Sequence, residues 1–267
     1  MSYLTPANSP RASRLHKALV AGSSALTPRL VGETSVIVAE FPKCGGTWLS
    51  SMLGNYLDLP FPRQSLLPIT FPAILHGHWK PTACGGNPIF LTRDPRDVAV
   101  SHLRHVMNRP TRSGGFWNRT LTKHAGPDFR ALRFTELLEI WVTLNLEHST
   151  SIHTWEGMVT RWLDSINRGR AKLATYEGLT SDTTAAMKDI LSFLGAEVDD
   201  QRLNLAISRF KFDLISGRRS GVEDVASFYR LGVANAWRNL IEPERELVQR
   251  LVSPTAELLG YKRSCKD

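Results

Sequence analysis

The sequence predicts an α/β fold, a single domain with a largely parallel central sheet flanked by helices. Three short apolar segments of strand length carry this prediction, because a helical pattern follows each of them. These strand candidates are residues 36–39, 88–92 and 171–176. Strands that alternate with helices pair in parallel, because each helix returns the chain to the starting edge of the sheet.

Length and composition fit a globular protein. The 267 residues are 42% hydrophobic and 22% charged, which allows a substantial core and excludes pervasive disorder. No apolar run approaches the roughly 20 residues that a membrane-spanning helix needs. The net charge of +8 favours an anionic ligand without choosing among nucleotides, nucleic acid and membrane surfaces.

The cysteines are few, odd in number and widely spaced, at positions 44, 84 and 265. This pattern argues against a disulfide scaffold or a zinc site and fits a reducing compartment. We therefore expect a cytoplasmic protein.

Residues 1–33 are rich in Ser, Ala and Pro and contain no acidic residue before Glu33. We interpret this segment as a loosely ordered basic arm. An organelle transit peptide is the alternative, because such peptides are also basic and poor in acidic residues. The folded domain is expected over residues 34–262.

A glycine-rich loop follows the first strand candidate. Residues 42–48 read Pro-Lys-Cys-Gly-Gly-Thr-Trp, and apolar residues at helical spacing continue to residue 57. A strand, a glycine-rich loop and a helix present backbone N–H groups to a phosphate, and Lys43 adds a positive charge. The loop lacks the lysine and Ser/Thr pair that follow the second glycine of a Walker A motif. The predicted phosphate ligand is therefore held without an obligatory metal.

A second candidate site follows the strand at 88–92. Asp94 is a predicted N-cap, with Pro95 at the first helical position. Arg93 stands at the carboxyl end of the strand, where ligands bind in open α/β sheets.

Two histidines, His76 and His78, end an apolar segment at 74–81, and in a strand they would share a face. No third metal ligand stands out nearby, so a catalytic or structural role is the stronger interpretation. Residues 108–130 are polar and basic, and they fit equally a mobile insertion over a binding site or a plain surface loop.

Helical spacing predicts the remaining helices, with a loop at 216–235. The predicted helices are 133–147, 155–167, 181–194, about 200–210 and about 243–259, the last interrupted by Pro254.

Four blocks in order resemble segments of the PAPS-dependent sulfotransferases. Residues 42–48 resemble that family's Pro-Lys-Ser-Gly-Thr-Thr-Trp loop. Residues 93–101, Arg-Asp-Pro-Arg-Asp-Val-Ala-Val-Ser, resemble its Arg-Asn-Pro-Lys-Asp-Val-Ala-Val-Ser segment. Residues 176–179 and 229–239 are similar to its Tyr-Glu-Asp-Leu and Arg-Lys-Gly…Trp-Lys-Asn segments. The resemblance implies a P-loop-like fold with a phosphosulfate-binding loop.

The same resemblance implies transfer of a sulfuryl group from 3′-phosphoadenosine 5′-phosphosulfate (PAPS) to a hydroxyl or amine. The product would be 3′-phosphoadenosine 5′-phosphate (PAP), and no metal is required. His78 would be the general base, and Lys43 would stabilise the leaving group. The implied donor-binding residues are Lys43, Cys44, Gly45, Gly46, Thr47, Trp48, Arg93, Ser101, Tyr176, Arg230 and Gly232.

The chain departs from the family pattern at several positions. Cys44 and Gly46 replace a serine and a threonine of the loop, and Leu231 replaces a lysine. His76 replaces the lysine that precedes the family's histidine by two residues, so His76 stays the alternative base to His78. The family's dimer motif is not recognisable, and the oligomeric state is not predicted.

Two other functions remain as alternatives. One is a P-loop-type, NTP-dependent kinase, and the other is a degenerate relative that binds PAP or another nucleotide without turnover. The expected partner is an acceptor, either a small molecule or a glycan or lipid, and no nucleic acid partner is expected.

Overall fold

The structure is a computed structural model that describes residues 19–20, 22–23, 25–28, 35–63, 65, 67–108, 116–224, 227 and 229–263. Within these ranges the chain forms the predicted α/β fold. The strands are β1 (Val36–Glu40), β2 (Ile74–Gly77), β3 (Ile89–Thr92) and β4 (Lys172–Thr175).

The sheet has the order β2-β1-β3-β4, and every neighbouring pair is parallel, as predicted. In the register, Val38 lies beside His76 on one side and Ile89 on the other. All residues of β1 and β3 are buried, which matches their continuous apolar sequences in the middle of the sheet. Because the strands are parallel, their carboxyl ends meet at one edge.

Helices flank the sheet. They are α1 (Gly46–Leu57), α2 (Pro95–Met107), α3 (Phe116–Ala125), α4 (Phe134–Glu147), α5 (Trp155–Asn167), α6 (Tyr176–Ser181), α7 (Thr183–Phe193), α8 (Asp200–Arg209), α9 (Phe212–Ser216), α10 (Glu242–Gln249) and α11 (Pro254–Leu258). Short 3-10 turns lie at Pro81–Ala83, Phe129–Ala131 and Ala236–Asn239.

The start of α2 confirms the predicted cap. The Asp94 side chain accepts a hydrogen bond from the Arg96 N–H, and Pro95 occupies the first helical turn. The aromatic residues of α4 and α5 are core, as helical spacing predicts. Trp162, for example, is fully buried and stacks on Phe90 of β3 at 5.1 Å between ring centroids.

The segment 108–130 differs from the predicted loop. It contains α3 and the turn at Phe129–Ala131, while residues 109–115 lie outside the described residues. Trp117 and Leu121, four residues apart, are buried on one face of α3. That spacing is the signal for a helix that the polar composition of the segment obscured.

Two further boundaries differ from the predictions. Helix α6 precedes the helix predicted at 181–194, because the Thr175 side chain caps it by accepting from the Gly178 N–H. The helix predicted at about 243–259 is two helices, α10 and α11. Pro254 lacks an N–H and cannot continue α10, so it begins α11 instead.

Most of the predicted arm, residues 1–33, lies outside the described residues. Residues 25–28 are helical, and the Thr27 hydroxyl accepts a hydrogen bond from the Ile69 N–H at 3.1 Å. This short part of the arm therefore contacts the folded region. In the part of the chain that the structure describes, no helix combines the length and apolar composition that crossing a membrane requires.

Candidate active site

A cavity of about 550 Å³ opens at the carboxyl edge of the sheet. It brings together residues from the β1–α1 loop, from β2 and α2, from the start of α6 and from the 229–232 segment. The predicted site residues that line it are Lys43, Gly45, Gly46, Thr47, Trp48, His78, Arg93, Ser101, Tyr176, Arg230 and Gly232.

The β1–α1 loop has an unusual backbone at Lys43 and Gly45. Lys43 has φ of 77° and Gly45 has φ of 106°, both in the left-handed region. A Cβ at position 45 would also lie 2.8 Å from the Tyr176 ring, so only glycine fits there. A lysine with positive φ is uncommon, and such strain clusters at functional sites.

Cys44 lies on the core side of this loop. Its side chain is fully buried and outside the cavity lining, and its N–H donates to the Phe41 carbonyl at 3.3 Å. Burial, reinforced by the charge of Glu40, raises the pKa of the Cys44 thiol well above its usual value. The thiol is therefore protonated and held in the core, and its side chain does not face the predicted donor.

Glu40, which the sequence analysis did not select, joins the loop to the two histidines. Its Oε2 accepts from the Gly46 N–H at 2.5 Å, and its Oε1 lies 3.0 Å from His76 Nε2. Its backbone carbonyl lies 2.9 Å from His78 Nδ1. The two imidazole rings are 5.9 Å apart, which confirms that the histidines stand together.

The contact with the Glu40 carbonyl fixes the tautomer of His78. A backbone carbonyl can only accept a hydrogen bond, so His78 Nδ1 must carry the proton. In the neutral ring the lone pair is then on Nε2, which is the nitrogen that can act as a base. His76 has the opposite arrangement, because its Nε2 donates to the Glu40 carboxylate.

Arg93 is a buried residue of the cavity wall, and it belongs to the predicted donor site. Its Nη2 donates to Asp97 Oδ2 at 3.0 Å and to the Val233 carbonyl at 2.8 Å, and its guanidinium lies 4.0 Å from the Tyr176 ring centroid. Burial alone would lower the pKa of Arg93, but the charge and hydrogen bond of Asp97 and the charges of Tyr176 and Glu177 together outweigh it, so the pKa is raised. Arg93 is therefore a permanent buried cation.

Arg230 is the second cation of this region. It pairs with Glu223 at 2.5 Å, and burial lowers its pKa despite that partner. The Nε atoms of Arg93 and Arg230 are both buried and make no hydrogen bond among the described residues. Both arginines line the cavity, so its wall carries positive charge and unused donors that suit an anionic ligand.

Aromatic rings lie beside the loop and the cations. Trp48 and Tyr176 meet edge to face at 6.2 Å, and Trp48 Nε1 donates to the Phe210 carbonyl at 2.8 Å. Ser101 lines the same cavity from α2 and is only 6% exposed. Gly232 has φ of 68°, and a Cβ there would lie 2.3 Å from the Phe212 ring.

The rest of the cavity wall is mostly apolar, with histidines and a few other polar residues, among them Arg63, Asn118 and Thr180. Its apolar residues include Phe41, Val106, Phe116, Trp117, Ile152 and Met158. Phe116 stacks on His153 at 4.3 Å, and burial lowers the pKa of His153, which favours its neutral form. His102 accepts from Trp141 Nε1 at 3.2 Å through its Nδ1, which fixes the tautomer of its neutral ring.

Several lining residues, including Glu40, His102 and His153, were not predicted as site residues. A single acidic residue at the end of an apolar strand is typical of a solvated strand end. The histidines of α2 and of the 148–154 segment stand outside any motif. Only the spacing of His102, one residue after the predicted Ser101, could have indicated a place beside the site.

The fold and the position of the cavity define the structural class of this protein. A parallel α/β sheet with a glycine-rich loop at its carboxyl edge is a P-loop-like fold. Residues 87–259 match the model of the sulfotransferase domain family, and the chain belongs to that family.

Two curated sulfotransferases match part of the chain. Sulfotransferase 2A2 of Rattus norvegicus is 24% identical over 160 residues, which is 57% of this chain and 49% of the relative. Sulfotransferase 2A1 of Macaca fascicularis is 23% identical over 163 residues, with the same coverage. The matched region thus spans about half the length of these curated relatives.

Solved structures of the same fold cover nearly the whole chain. The mouse sulfotransferase SULT7A1, complexed with PAP, has a TM-score of 0.64 at 18% identity and covers 94% of this chain and 96% of its own. Retinol dehydratase, in complex with androsterone and the inactive cofactor PAP, has a TM-score of 0.61 at 13% identity. The match covers 90% of this chain and 86% of that protein.

Proposed function

We propose that this protein is a PAPS-dependent sulfotransferase that transfers a sulfuryl group to the hydroxyl, or amine, of a small-molecule acceptor. One observation carries the proposal: a single cavity joins two buried arginine Nε donors, a glycine-rich loop and a histidine of fixed tautomer. Several sulfotransferase-fold neighbours were solved with PAP, which supports PAPS as the donor.

Each end of the donor has a matching group in the cavity. The 3′-phosphate would bind Arg93, Ser101, Arg230 and the backbone at Gly232. The 5′-phosphosulfate would bind Lys43 and the loop from Cys44 to Thr47, with Cys44 contributing only backbone. The adenine would lie against Trp48 and Tyr176. The negative charges of the 3′-phosphate and of the 5′-phosphosulfate suit a cavity in which Glu40 is the only carboxylate among the described lining residues.

The reaction is an in-line displacement. His78 Nε2 takes the proton of the acceptor hydroxyl as its oxygen attacks sulfur, and the proton stays on His78. The bond between sulfur and the bridging oxygen breaks, and its electron pair stays with that oxygen on PAP. Lys43 stabilises the negative charge that develops there. His78 is preferred over His76 because His78 stands where the sulfotransferase segment Lys-Thr-His has its histidine.

The kinase and the degenerate nucleotide-binding relative are the two alternative functions, and different observations bear on each. Family membership and the missing Lys-Ser/Thr pair of the loop do not favour a P-loop kinase. A degenerate nucleotide-binding relative would be expected to lose the base or the loop lysine. Both His78 and Lys43 line the cavity, which supports turnover.

We also propose residues 34–262 as the functional domain. A cytoplasmic location is supported by the free thiols of Cys44 and Cys84. Import into an organelle through residues 1–33 is the alternative, and localisation of the full chain in cells would distinguish them.

The donor site is tested by thermal unfolding with PAP and AMP. At 100 times its Kd, PAP is expected to stabilise the protein by about 2.7 kcal/mol, which raises Tm by about 5–10 °C for a chain of this size. AMP at the same concentration should give a much smaller shift, because it leaves the Arg93 and Arg230 donors without an acceptor. Arg93→Gln is expected to abolish the difference between PAP and AMP.

Arg96→Gln is the matched control for this experiment. Arg96 is equally buried, pairs with Asp94 at 2.7 Å and lies outside the cavity lining. Its loss should lower Tm but keep the selectivity for PAP. A shift with ATP and magnesium, and none with PAP, would sink the sulfotransferase proposal and favour the kinase.

The apolar wall predicts an apolar acceptor. With labelled PAPS, 2-naphthol should be sulfated, whereas glucosamine should not, because sugar hydroxyls would lose their water against Phe41 and Phe116 without replacement. Phe116→Ala is expected to raise KM for 2-naphthol about 10-fold, from lost aromatic contact. Phe71→Ala, at an exposed residue outside the cavity, should leave KM unchanged. Preferred turnover of glucosamine would refute the apolar assignment.

A further inference from the structure

The most informative group outside the assigned roles is the carboxylate of Glu40. Its side chain is 5% exposed at the end of β1, beneath the start of α1. The residue contacts three parts of the site at once: the Gly46 N–H, the His76 ring and, through its carbonyl, the His78 ring.

Glu40 is ionised at neutral pH. Burial raises the pKa of its carboxyl, but the hydrogen bond and charge of His76, the charge of His78 and the Gly46 N–H together outweigh burial and lower it. An ionised carboxylate only accepts hydrogen bonds. Both of its oxygens therefore require a donor, and Gly46 and His76 supply one each.

The carboxylate of Glu40 is closely packed against Gly46 and His76. A Cβ at position 46 would lie 2.4 Å from His76 Nε2 and 2.7 Å from Glu40 Cδ. Glycine at position 46, where the related loop has a threonine, is thus the residue that makes room for the Glu40–His76 pair. The departures at Gly46 and His76 are parts of one local arrangement.

We propose that Glu40 is a positioning residue for sulfuryl transfer. Its carboxylate accepts hydrogen bonds from the Gly46 N–H and from His76, and its carbonyl orients His78. These contacts hold the β1–α1 loop and the proposed base in one fixed geometry. This inference rests on the proposed function. If donor binding shifted the β1–α1 loop, Glu40 would transmit the movement to the His78 ring.

The variant Glu40→Gln tests the role of the carboxylate. A glutamine of the same shape can accept from Gly46, but it then presents its NH₂ to His76 Nε2, which must give up its proton to accept. We expect kcat with PAPS and 2-naphthol to fall about 10- to 100-fold, a part of the 10²- to 10⁴-fold that a positioned base contributes. The PAP affinity should rise several-fold, because a negative charge beside the loop is removed.

The pH profile gives a second readout that a purely structural role would not move. The charged and titratable residues that line the cavity with this pair include Lys43, Arg63, His78, Arg93, His102, His105, His153 and Arg230. Removing the negative charge of Glu40 disfavours protonation of the proposed base, His78. The acidic limb of kcat/KM should therefore move to lower pH in Glu40→Gln.

Glu156→Gln is the matched control. Glu156 is a partly buried carboxylate on α5 that accepts from the Ser253 hydroxyl at 2.6 Å, outside the main cavity. It should keep the kcat and pH profile of the wild type. Wild-type values in Glu40→Gln, or a lower kcat together with weaker PAP binding, would overturn the positioning role.

A measurement on the wild-type protein keeps the inference testable if Glu40→Gln does not fold. Nitrogen-15 NMR of the histidine rings, with PAP bound, should show the neutral His78 protonated at Nδ1 and His76 protonated at Nε2. A His78 ring protonated at Nε2 would overturn it. If the wild type binds PAP but sulfates no acceptor, the proposed function fails, whereas the tautomers still decide the role of Glu40.

Discussion

Replacing His78 with asparagine is expected to lower kcat by about 10²- to 10⁴-fold, the usual contribution of a general base. The asparagine NH₂ can take the place of Nδ1–H and keep the hydrogen bond to the Glu40 carbonyl. The variant therefore removes the proton acceptor with little change in shape. Stopped-assay turnover of labelled PAPS with 2-naphthol measures the loss, and PAP titration should give an unchanged Kd.

His124→Asn serves as the control, because His124 is an exposed histidine on α3 outside the cavity. Its turnover should equal that of the wild type. If His78→Asn retains most of its activity while His76→Gln loses it, His76 is the base and the assignment is reversed. A parallel loss of PAP binding in His78→Asn would instead show that the change disturbs the loop.

Replacing Lys43 with methionine is expected to lower kcat by about 10²- to 10³-fold, comparable with removal of one group that stabilises transition-state charge. Methionine keeps a stem of similar length and meets the same backbone demand at φ of 77°. Stability should therefore change little. Single-turnover kinetics with saturating PAPS isolate the chemical step from donor binding.

The control for Lys43→Met is Lys123→Met, at an exposed lysine on α3. This change removes the same charge from the chain but not from the cavity, so it separates local from overall electrostatics. Unchanged single-turnover rates in Lys43→Met would mean that the leaving group is stabilised by backbone amides and arginines alone.

The parts of the fold with strong local signals could be predicted from the sequence. The strands at β1 and β3 are continuous apolar runs, and α2 begins with Asp94 and Pro95, a cap and a residue pre-shaped for the first turn. The place of Lys43 and Arg93 in the cavity wall could also be predicted, because each residue follows within three positions of an apolar strand. Their convergence follows from parallel pairing, which places strand ends at one edge.

What could not be predicted depends on contacts between distant residues. Glu40 has meaning only once β2 lies beside β1 and brings His76 to its carboxylate. Helix α3 is stabilised by the burial of Trp117 against Trp141, with 5.3 Å between the ring centroids. The polar sequence of α3 does not predict this contact. Tertiary burial here overrides composition, as it often does for short helices.

The Asp97 carboxylate joins two distant parts of the chain at the end of the cavity that we propose for the nucleotide. One oxygen accepts from Arg93 and the other from the Trp237 N–H, while Arg93 also donates to Val233. The cation at the predicted phosphate site is thus oriented by a segment 140 residues later in the chain. During synthesis, these contacts can form only after residues 230–237 have emerged. A chain that ends before this segment would lack the groups that orient Arg93 at the proposed donor site.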